Sequence, residues 1–555
     1  SPYRLNKMNT ENEFINKKKV TPNNLLRALY DREINGHKIR MNFIKTTYQI
    51  LNPNCTVINV EKPPCFLRKF TPDGRHFIAF SQDQLYIEVY AYLGCSMAAK
   101  LLKNYEGNCI GQNNDGDVVR KRIFESLFQL KFRILVAAEG EQLNRECSLF
   151  SDDSFYAILG SVGPIAHNVV LDYDDIFTNN ESVSPNLLLP LENYTIHLIN
   201  IKKGAVSHRL HFKADKISLS HNQGVYLLKN VLAILSVQHQ IIHVYNLTQN
   251  RFCLIRKIGR FCFENDFAFI SSVHTDMIAE DYKAHNETFI NGLKNKLMVF
   301  LYKKAEHESK QNGSPYPLRR FYQFYDQFMS LRMWKMQLLD VDNILIRYAS
   351  EDVVTAKIQE PSTQTSFFMI YNMTTATVLN VYQNTSSDLL HGYEYFCDTF
   401  RNPYLNPDGF MPCSPSNNIY SRESHEKFKN TMLNARFGGT MEANKRILGQ
   451  LPIAAQSFSC SPYLDTSLYS YDEKWVSPME RPKVVGEYPI RFYSRELGTL
   501  SFCLYTSVSR NRPTQDRRRL VAFTFHPTDP FAISVQRDNL EYIVNFHIRK
   551  VYLPE

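Results

Sequence analysis

The sequence predicts an all-β fold, a divergent WD-repeat-like β-propeller of seven to eight blades, with helical insertions and a helical N-terminal tail. Three observations predict it. The stretch "CFLRKFTPDGRHFIAFSQDQLYIEVYAY" (65–92) reads as strand, Pro-Asp-Gly turn, strand, polar turn and strand, the hairpin-by-hairpin texture of an antiparallel sheet. The same layout returns in "FTFHPTDPFAISVQRDNLEYIVNFHI" (523–548). Composition agrees: 37 Phe and 32 Tyr against two Trp suit half-buried pleated surfaces.

An ungapped overlay of Phe70 on Phe525 also matches Pro72 with Pro527, Ile78 with Ile533, Asp83 with Asp538, Leu85 with Leu540 and Val89 with Val544. "CSLFSDDSFYAILGSVG" (147–163) is a weaker copy, and "NVLAILSVQHQIIHVYNLT" (230–248) gives two more strands joined by a polar turn. Repeated four-strand units of ~40–45 residues suggest propeller blades. A chain of 555 residues exceeds what seven or eight such units need, so the remainder reads as insertions.

Residues 1–45 read as a polar, flexible tail with one helix at about 22–35. Thr21 can cap it, Pro22 fits its first turn and Gly36 can supply a left-handed exit. Leu25 and Leu29 lie four apart, as do Leu26 and Tyr30, giving an apolar stripe. Residues 46–550 read as a single propeller. Its two insertions, at about 286–337 and 418–450, are helical in spacing; "FINGLKNKLMVFLYKKAEHE" and "RRFYQFYDQFMSLRMWKM" make up the first. The tryptophan–aspartate dipeptide of standard repeats is absent, since Trp334 precedes Lys335 and Trp475 precedes Val476.

Catalytic signatures fail in turn. No GxxxxGK[ST] cradle or GxGxxG turn occurs. His425-Glu426 opens like a zinc-protease helix, but Lys429 stands where the second imidazole is needed. "GSVG" (160–163) lacks the spacing of a nucleophile elbow. The 11 Cys contain no CxxC pair, which argues against a zinc site or a disulfide framework and for a reducing compartment. Neither cofactor, small-molecule substrate nor membrane is expected: the apolar run Leu297–Tyr302 is far below the ~20 residues of a bilayer span. Net charge is +9, a mild excess that suits an acidic partner.

Several long blocks carry a family resemblance: "VEKPPCFLRKFTPDGRHFIAFS" (60–81), "LNRECSLFSDD" (143–153), "LSHNQGVYLLKNVLAILSVQ" (219–238), "IGRFCFEND" (258–266), "LRMWKMQLLD" (331–340) and "LGQLPIAAQSFSCSPYLDTSLYSYDEKWVS" (448–477). In these the chain resembles the De-etiolated-1 family from roughly Asn54 to Ile548. The resemblance implies a non-enzymatic substrate receptor or adaptor of a cullin-four-class RING ubiquitin ligase, largely nuclear, with a cytoplasmic pool allowed. Implied partners are the triple-propeller damaged-DNA-binding adaptor, a small adaptor-associated protein, the RING and WD-repeat protein constitutively photomorphogenic one, and a ubiquitin-conjugating enzyme. "NNLLRALYDREING" (23–36) is similar to the helical box that such receptors insert into the adaptor. By that likeness Leu25, Leu26 and Leu29 enter the groove, with Asn24, Arg32 and Glu33 at its polar edge. A chromatin- or histone-binding propeller that represses transcription is the rival reading.

Overall fold

The computed structural model describes residues 47–111, 116–165, 170–185, 190–248, 250–259, 292–356, 366–402, 418–486, 489–506, 519–538 and 541–551. Six sheets stand among them. Sheet 1 is Cys65–Phe70, His76–Ser81, Tyr86–Tyr92 and Phe128–Leu135. Sheet 2 is Gln142–Phe150, Tyr156–Pro164, Glu192–Asn200 and Ala205–Asp215. Sheet 3 runs from Val225–Leu228 through Val231–Ser236 and Ile241–Thr248 to Arg251–Ile258. Sheet 4 runs from Leu331–Leu338 through Asn343–Ser350 and Phe367–Asn372 to Thr377–Gln383. All four are antiparallel meanders in chain order. Sheet 5 has three strands, Tyr469–Ser470, Ile490–Ser494 and Leu500–Leu504. Sheet 6 combines Lys483–Val485, Arg519–Phe525, Phe531–Asp538 and Glu541–Ile548 with the early strands Cys55–Val57 and Cys109–Ile110.

The turns explain why the repeat was legible. Thr71, Ser81 and Ser151 each donate a hydroxyl hydrogen bond to the carboxylate two residues on, Asp73, Asp83 and Asp153. Those carboxylates accept from the backbone N–H of Arg75, Leu85 and Phe155. The hydroxyls in turn accept from the N–H of His76, Tyr86 and Tyr156. One side-chain pair thus satisfies the donors of a tight reversal. In the fourth turn His526 takes this role, its Nδ1 accepting from the N–H of Thr528 and Asp529. Its Nε2 lies 2.9 Å from the Gly74 carbonyl, so the two turns that the overlay matched abut. A Cβ at Gly74 would sit 2.5 Å from the His526 ring, and its φ of +71° is the left-handed region that favours glycine.

Neighbouring sheets share apolar cores. Phe531, Ile533 and Phe546 of sheet 6 pack with Phe70, Phe77 and Phe128 of sheet 1. Ile78, Phe80 and Ile87 of sheet 1 pack with Phe150, Leu159 and Ile199 of sheet 2. One cluster joins sheets 2, 3 and 4, and another joins sheets 5 and 6. Between sheets 4 and 5 the chain supplies helices instead of another sheet: Ser387–Tyr395, Cys397–Arg401, Ile419–Leu433 and Thr440–Leu448. Leu389, Leu390, Tyr393, Ile447 and Leu448 cover Leu345 and Phe368 of sheet 4. On the other side Asn418 and Ser421 reach Thr466, each at 2.9 Å, just ahead of sheet 5. Six sheets thus stand among the described residues, and the described chain between sheets 4 and 5 folds largely as helix.

The ring closes through sheet 6. Cys55–Val57 pairs antiparallel with the last strand, placing Thr56 opposite His547. His547 Nδ1 is 2.9 Å from Thr56 Oγ1 and its Nε2 is 2.9 Å from Ser534 Oγ. Two departures from the sequence reading concern helices. Residues 331–337, expected to be helical, form the first strand of sheet 4. A helix at Asp117–Leu127, within the expected propeller, buries Val119, Ile123, Phe124 and Leu127 beneath sheets 1 and 6.

Burial holds three imidazoles neutral: His197 and His243 are pushed down to about 4 and His547 to about 3. Below about pH 6.5 the unfolded chain binds protons that these folded imidazoles refuse, so stability falls as pH drops and levels off near the folded pKa values. The slope is at most about 1.4 kcal/mol per pH unit for each histidine. Urea denaturation across this range should show that loss, and His547→Gln, whose amide can serve both hydroxyls, should flatten it. Identical slopes for the two proteins would remove His547 from the explanation.

Candidate partner-binding surfaces

The residues assigned to adaptor docking, Asn24, Leu25, Leu26, Leu29, Arg32 and Glu33, lie outside the described residues. The candidate surfaces within them follow from what the ring already covers.

Its axis is covered by its own chain. Residues 449–457 form an irregular strap that runs past the first strands of sheets 1, 2 and 4 and the turn just ahead of sheet 3. Lys69 Nζ of sheet 1 donates to the Gln456 carbonyl at 2.6 Å. The Gln456 side chain accepts from the N–H of Phe150 in sheet 2 at 2.9 Å and donates to its carbonyl at 2.7 Å. Asn222, just ahead of sheet 3, donates to the Ala455 carbonyl at 3.2 Å. In sheet 4, Gln337 Oε1 accepts from the Ile453 N–H at 2.9 Å and Arg347 donates to the Leu451 carbonyl at 3.0 Å. Leu451, Ile453 and Ala455 are buried. Strands that meet one strap at one end of each sheet face the axis. The last strands of these sheets, rich in exposed positions, form the rim.

Groups with catalytic potential are sealed. Ser161 Oγ lies 2.7 Å from His197 Nε2 and 2.6 Å from Glu141 Oε2, a nucleophile–base spacing. Both Ser161 and His197 are wholly buried inside sheet 2, and His197 Nδ1 has no partner to orient the ring. Burial raises the thiols of Cys147 to about 12 and Cys460 to about 11, far from the thiolate a nucleophile needs. His425 and Lys429 both bind Glu394, at 2.9 and 3.1 Å, an ion-pair staple between two helices. Among the described residues no cluster of three or more His, Cys, Asp or Glu could hold a metal ion. No described helix is long and apolar enough to cross a membrane.

Two helical outgrowths present exposed aromatic residues. The first is the hairpin Gly292–Asn312, Tyr316–Gln323 and Tyr325–Met329. Its root is anchored: Leu293 and Leu297 join the core of sheets 2–4, and Lys294 Nζ lies 3.6 Å from Glu181. Glu181 is also 3.1 Å from Arg332, which reaches Glu351 at 3.0 Å. Burial lowers the Lys294 pKa to about 8 in spite of Glu181. Beyond the root, Tyr302, Tyr316, Tyr322 and Tyr325 are exposed. The second outgrowth carries Ile419–Leu433, a helix of 15 residues with none fully buried. Around it Tyr395, Phe396, Ile419, Phe428, Met441 and Phe437, the last 85% exposed, face solvent. Large apolar side chains gathered this way mark protein contacts.

The family model described as De-etiolated protein 1 Det1 matches residues 145–550. The chain belongs to the De-etiolated protein 1 family. Its relatives include "Light-mediated development protein DET1" of Solanum lycopersicum, 28% identical over 549 residues, covering 95% of this chain and 99% of that protein. The protein of the same name from Arabidopsis thaliana is 26% identical over 571 residues, covering 96% and 100%. Solved structures are more remote. The Cps50 (Swd1) β-propeller domain of Myceliophteria thermophila aligns over 89% of this chain and 99% of that chain, at a TM-score of 0.32 and 7% identity. The structure of U3-55K aligns over 90% and 100%, at 0.26 and 7%. The blade assignment in this De-etiolated family member rests on its own sheets, cores and closure.

The strap follows the stretch read as a helical insertion at about 418–450, and the apolar residues of "LPIAAQ" (451–456) follow neither period. Gln456 is its critical side chain, held at a φ of +52° while it pairs both backbone groups of Phe150. Gln456→Ala removes both of these hydrogen bonds and should cost about 1–3 kcal/mol in chemical denaturation. Gln450→Ala, at an exposed neighbour, should cost nearly nothing. Equal effects would mean that the strap does not brace the ring.

Proposed function

We propose that the chain is a non-catalytic substrate receptor or adaptor subunit of a cullin-RING ubiquitin ligase. In this reading it promotes ubiquitination and proteasomal degradation of nuclear regulators. The observation that carries it is the family match over residues 145–550, because the De-etiolated-1 resemblance is what implies ligase membership. The sealed serine, histidine and cysteine side chains agree with a role that leaves bond chemistry to partners.

The mechanism is templating. The helix at about 22–35 enters a groove of the triple-propeller damaged-DNA-binding adaptor through Leu25, Leu26 and Leu29, with Asn24, Arg32 and Glu33 at the edge. Burying three leucines offers about 1.5–3 kcal/mol each. Ordering the helix costs roughly 1–2 kcal/mol per residue in backbone entropy, only partly returned by its hydrogen bonds. The helix alone therefore binds weakly, and the ring must add a second contact for a lasting assembly. The small adaptor-associated protein, the RING and WD-repeat partner and a ubiquitin-conjugating enzyme complete the assembly. Holding substrate beside a charged conjugating enzyme raises local concentration, so lysine transfer accelerates although no residue of this chain touches the bond.

Leu25→Asp combined with Leu29→Asp should abolish co-purification of the adaptor while the thermal midpoint of the ring stays unchanged. Undiminished adaptor recovery from the double variant would take the docking role away from this helix.

A further inference from the structure

The outer face of the hairpin at Tyr316–Gln323 has a chemistry of its own. Phe321 is buried and faces inward; its ring lies 5.7 Å from Phe328, which in turn lies 5.7 Å from Phe367 of sheet 4. On a helix, Tyr316, Arg319, Arg320 and Gln323 share the opposite side, and all four are exposed. Beside them, on Gly292–Asn312, Lys303 and Lys304 are exposed next to Tyr302, whose ring meets Phe321 at 5.7 Å and Tyr322 at 6.5 Å. The exposed cations of this outgrowth are Lys303, Lys304, Lys310, Arg319 and Arg320; its exposed anions are Glu308 and Asp326. Lys310 is committed to Glu306 at 2.8 Å; the four other cations are exposed, Arg320 with its guanidinium 5.9 Å from the Phe324 ring centre.

We propose that this face, formed by Tyr316, Arg319, Arg320 and Tyr322 with Lys303 and Lys304, docks an acidic segment of a protein partner that also carries an apolar anchor. The charge excess selects carboxylates, and two adjacent guanidiniums offer the planar forks that carboxylates accept. Tyrosine and arginine are the side chains in which interface energy concentrates. A nucleic acid fits less well. Tyr302 and Tyr322 stand edge-on to Phe321, at interplanar angles of 72° and 76°, rather than as free parallel platforms for bases. Glu308 and Asp326 would also repel phosphates on the same outgrowth. The assignment is independent of the docking helix at 22–35 and goes beyond the ligase reading.

The test is a selection of short random peptides on the intact chain, followed by affinity measurement of the winners. Enriched peptides should be rich in Asp and Glu with an aromatic or aliphatic residue. Arg319→Glu with Arg320→Glu should weaken them at least about tenfold, Tyr316→Ala by several-fold, at unchanged thermal midpoints. Arg319→Ala with Arg320→Ala serves if the charge reversal perturbs folding, with the same direction expected. Selection of neutral or basic peptides, no enrichment, or equal affinity for the arginine variants would overturn the proposal. So would a single-stranded oligothymidylate whose binding is lost in those variants while no acidic peptide is selected, which would assign the face to nucleic acid.

Discussion

Everything in this ring leans on one irregular segment, the strap of residues 449–457. Propeller sheets present the edges of their first strands to the axis, where unpaired polar groups and short contacts must be resolved. Here the chain resolves them internally: Lys69, Phe150, Asn222, Gln337 and Arg347, drawn from or beside four sheets, all bind the backbone or the Gln456 side chain of this segment. Because the strap arrives from the helices that separate sheets 4 and 5 and leads on toward sheet 5, it also joins the two halves of the molecule. The Thr56–His547 latch closes the circumference, while the strap ties the sheets at their inner edges.

The fold was legible where local chemistry and pattern agreed. The hydroxyl–carboxylate turns at Thr71, Ser81 and Ser151 recur in sequence because each must satisfy the same backbone donors. The overlay of Phe70 on Phe525 worked because both residues end the first long strand of adjoining units, and Ile78 and Ile533 are buried one strand on. The surplus length was read as insertions, and between sheets 4 and 5 it does fold as helices. Residues 331–337 were read as helix because Leu331, Trp334 and Leu338 keep a helical spacing; the strand forms because Met333 and Met336, separated by a bulge, both reach the core. The helix Asp117–Leu127 was readable from Val119, Ile123 and Leu127 at fourfold spacing, but it fell within the propeller body outside the two stretches read as helical insertions. The partner surfaces were half legible. Both insertions were singled out for their helical spacing, whereas the exposure of Phe437 and of the helix Ile419–Leu433 shows only when burial is known.

For function, the division of labour between interior and outgrowths matters most. Reactive side chains are spent on cohesion: Ser161 and His197 bridge strands, Cys147 packs, and His547 latches the ring. The outgrowths have the reverse character, with large rings and cations exposed to solvent. A family member built this way gains specificity by adding surfaces to a braced scaffold. That is what a subunit acting by proximity requires, since a wobbling platform would dissipate the effective concentration it creates.

Native-state hydrogen exchange along the chain tests the bracing most directly. If the strap ties the sheets, the Ile453 amide, bonded to Gln337 inside the ring, exchanges as slowly as the central strand His76–Ser81, through global unfolding alone. Exchange of that amide at the rate of a surface loop, with His76–Ser81 still protected, would show a ring that stands without its strap and would contradict the account.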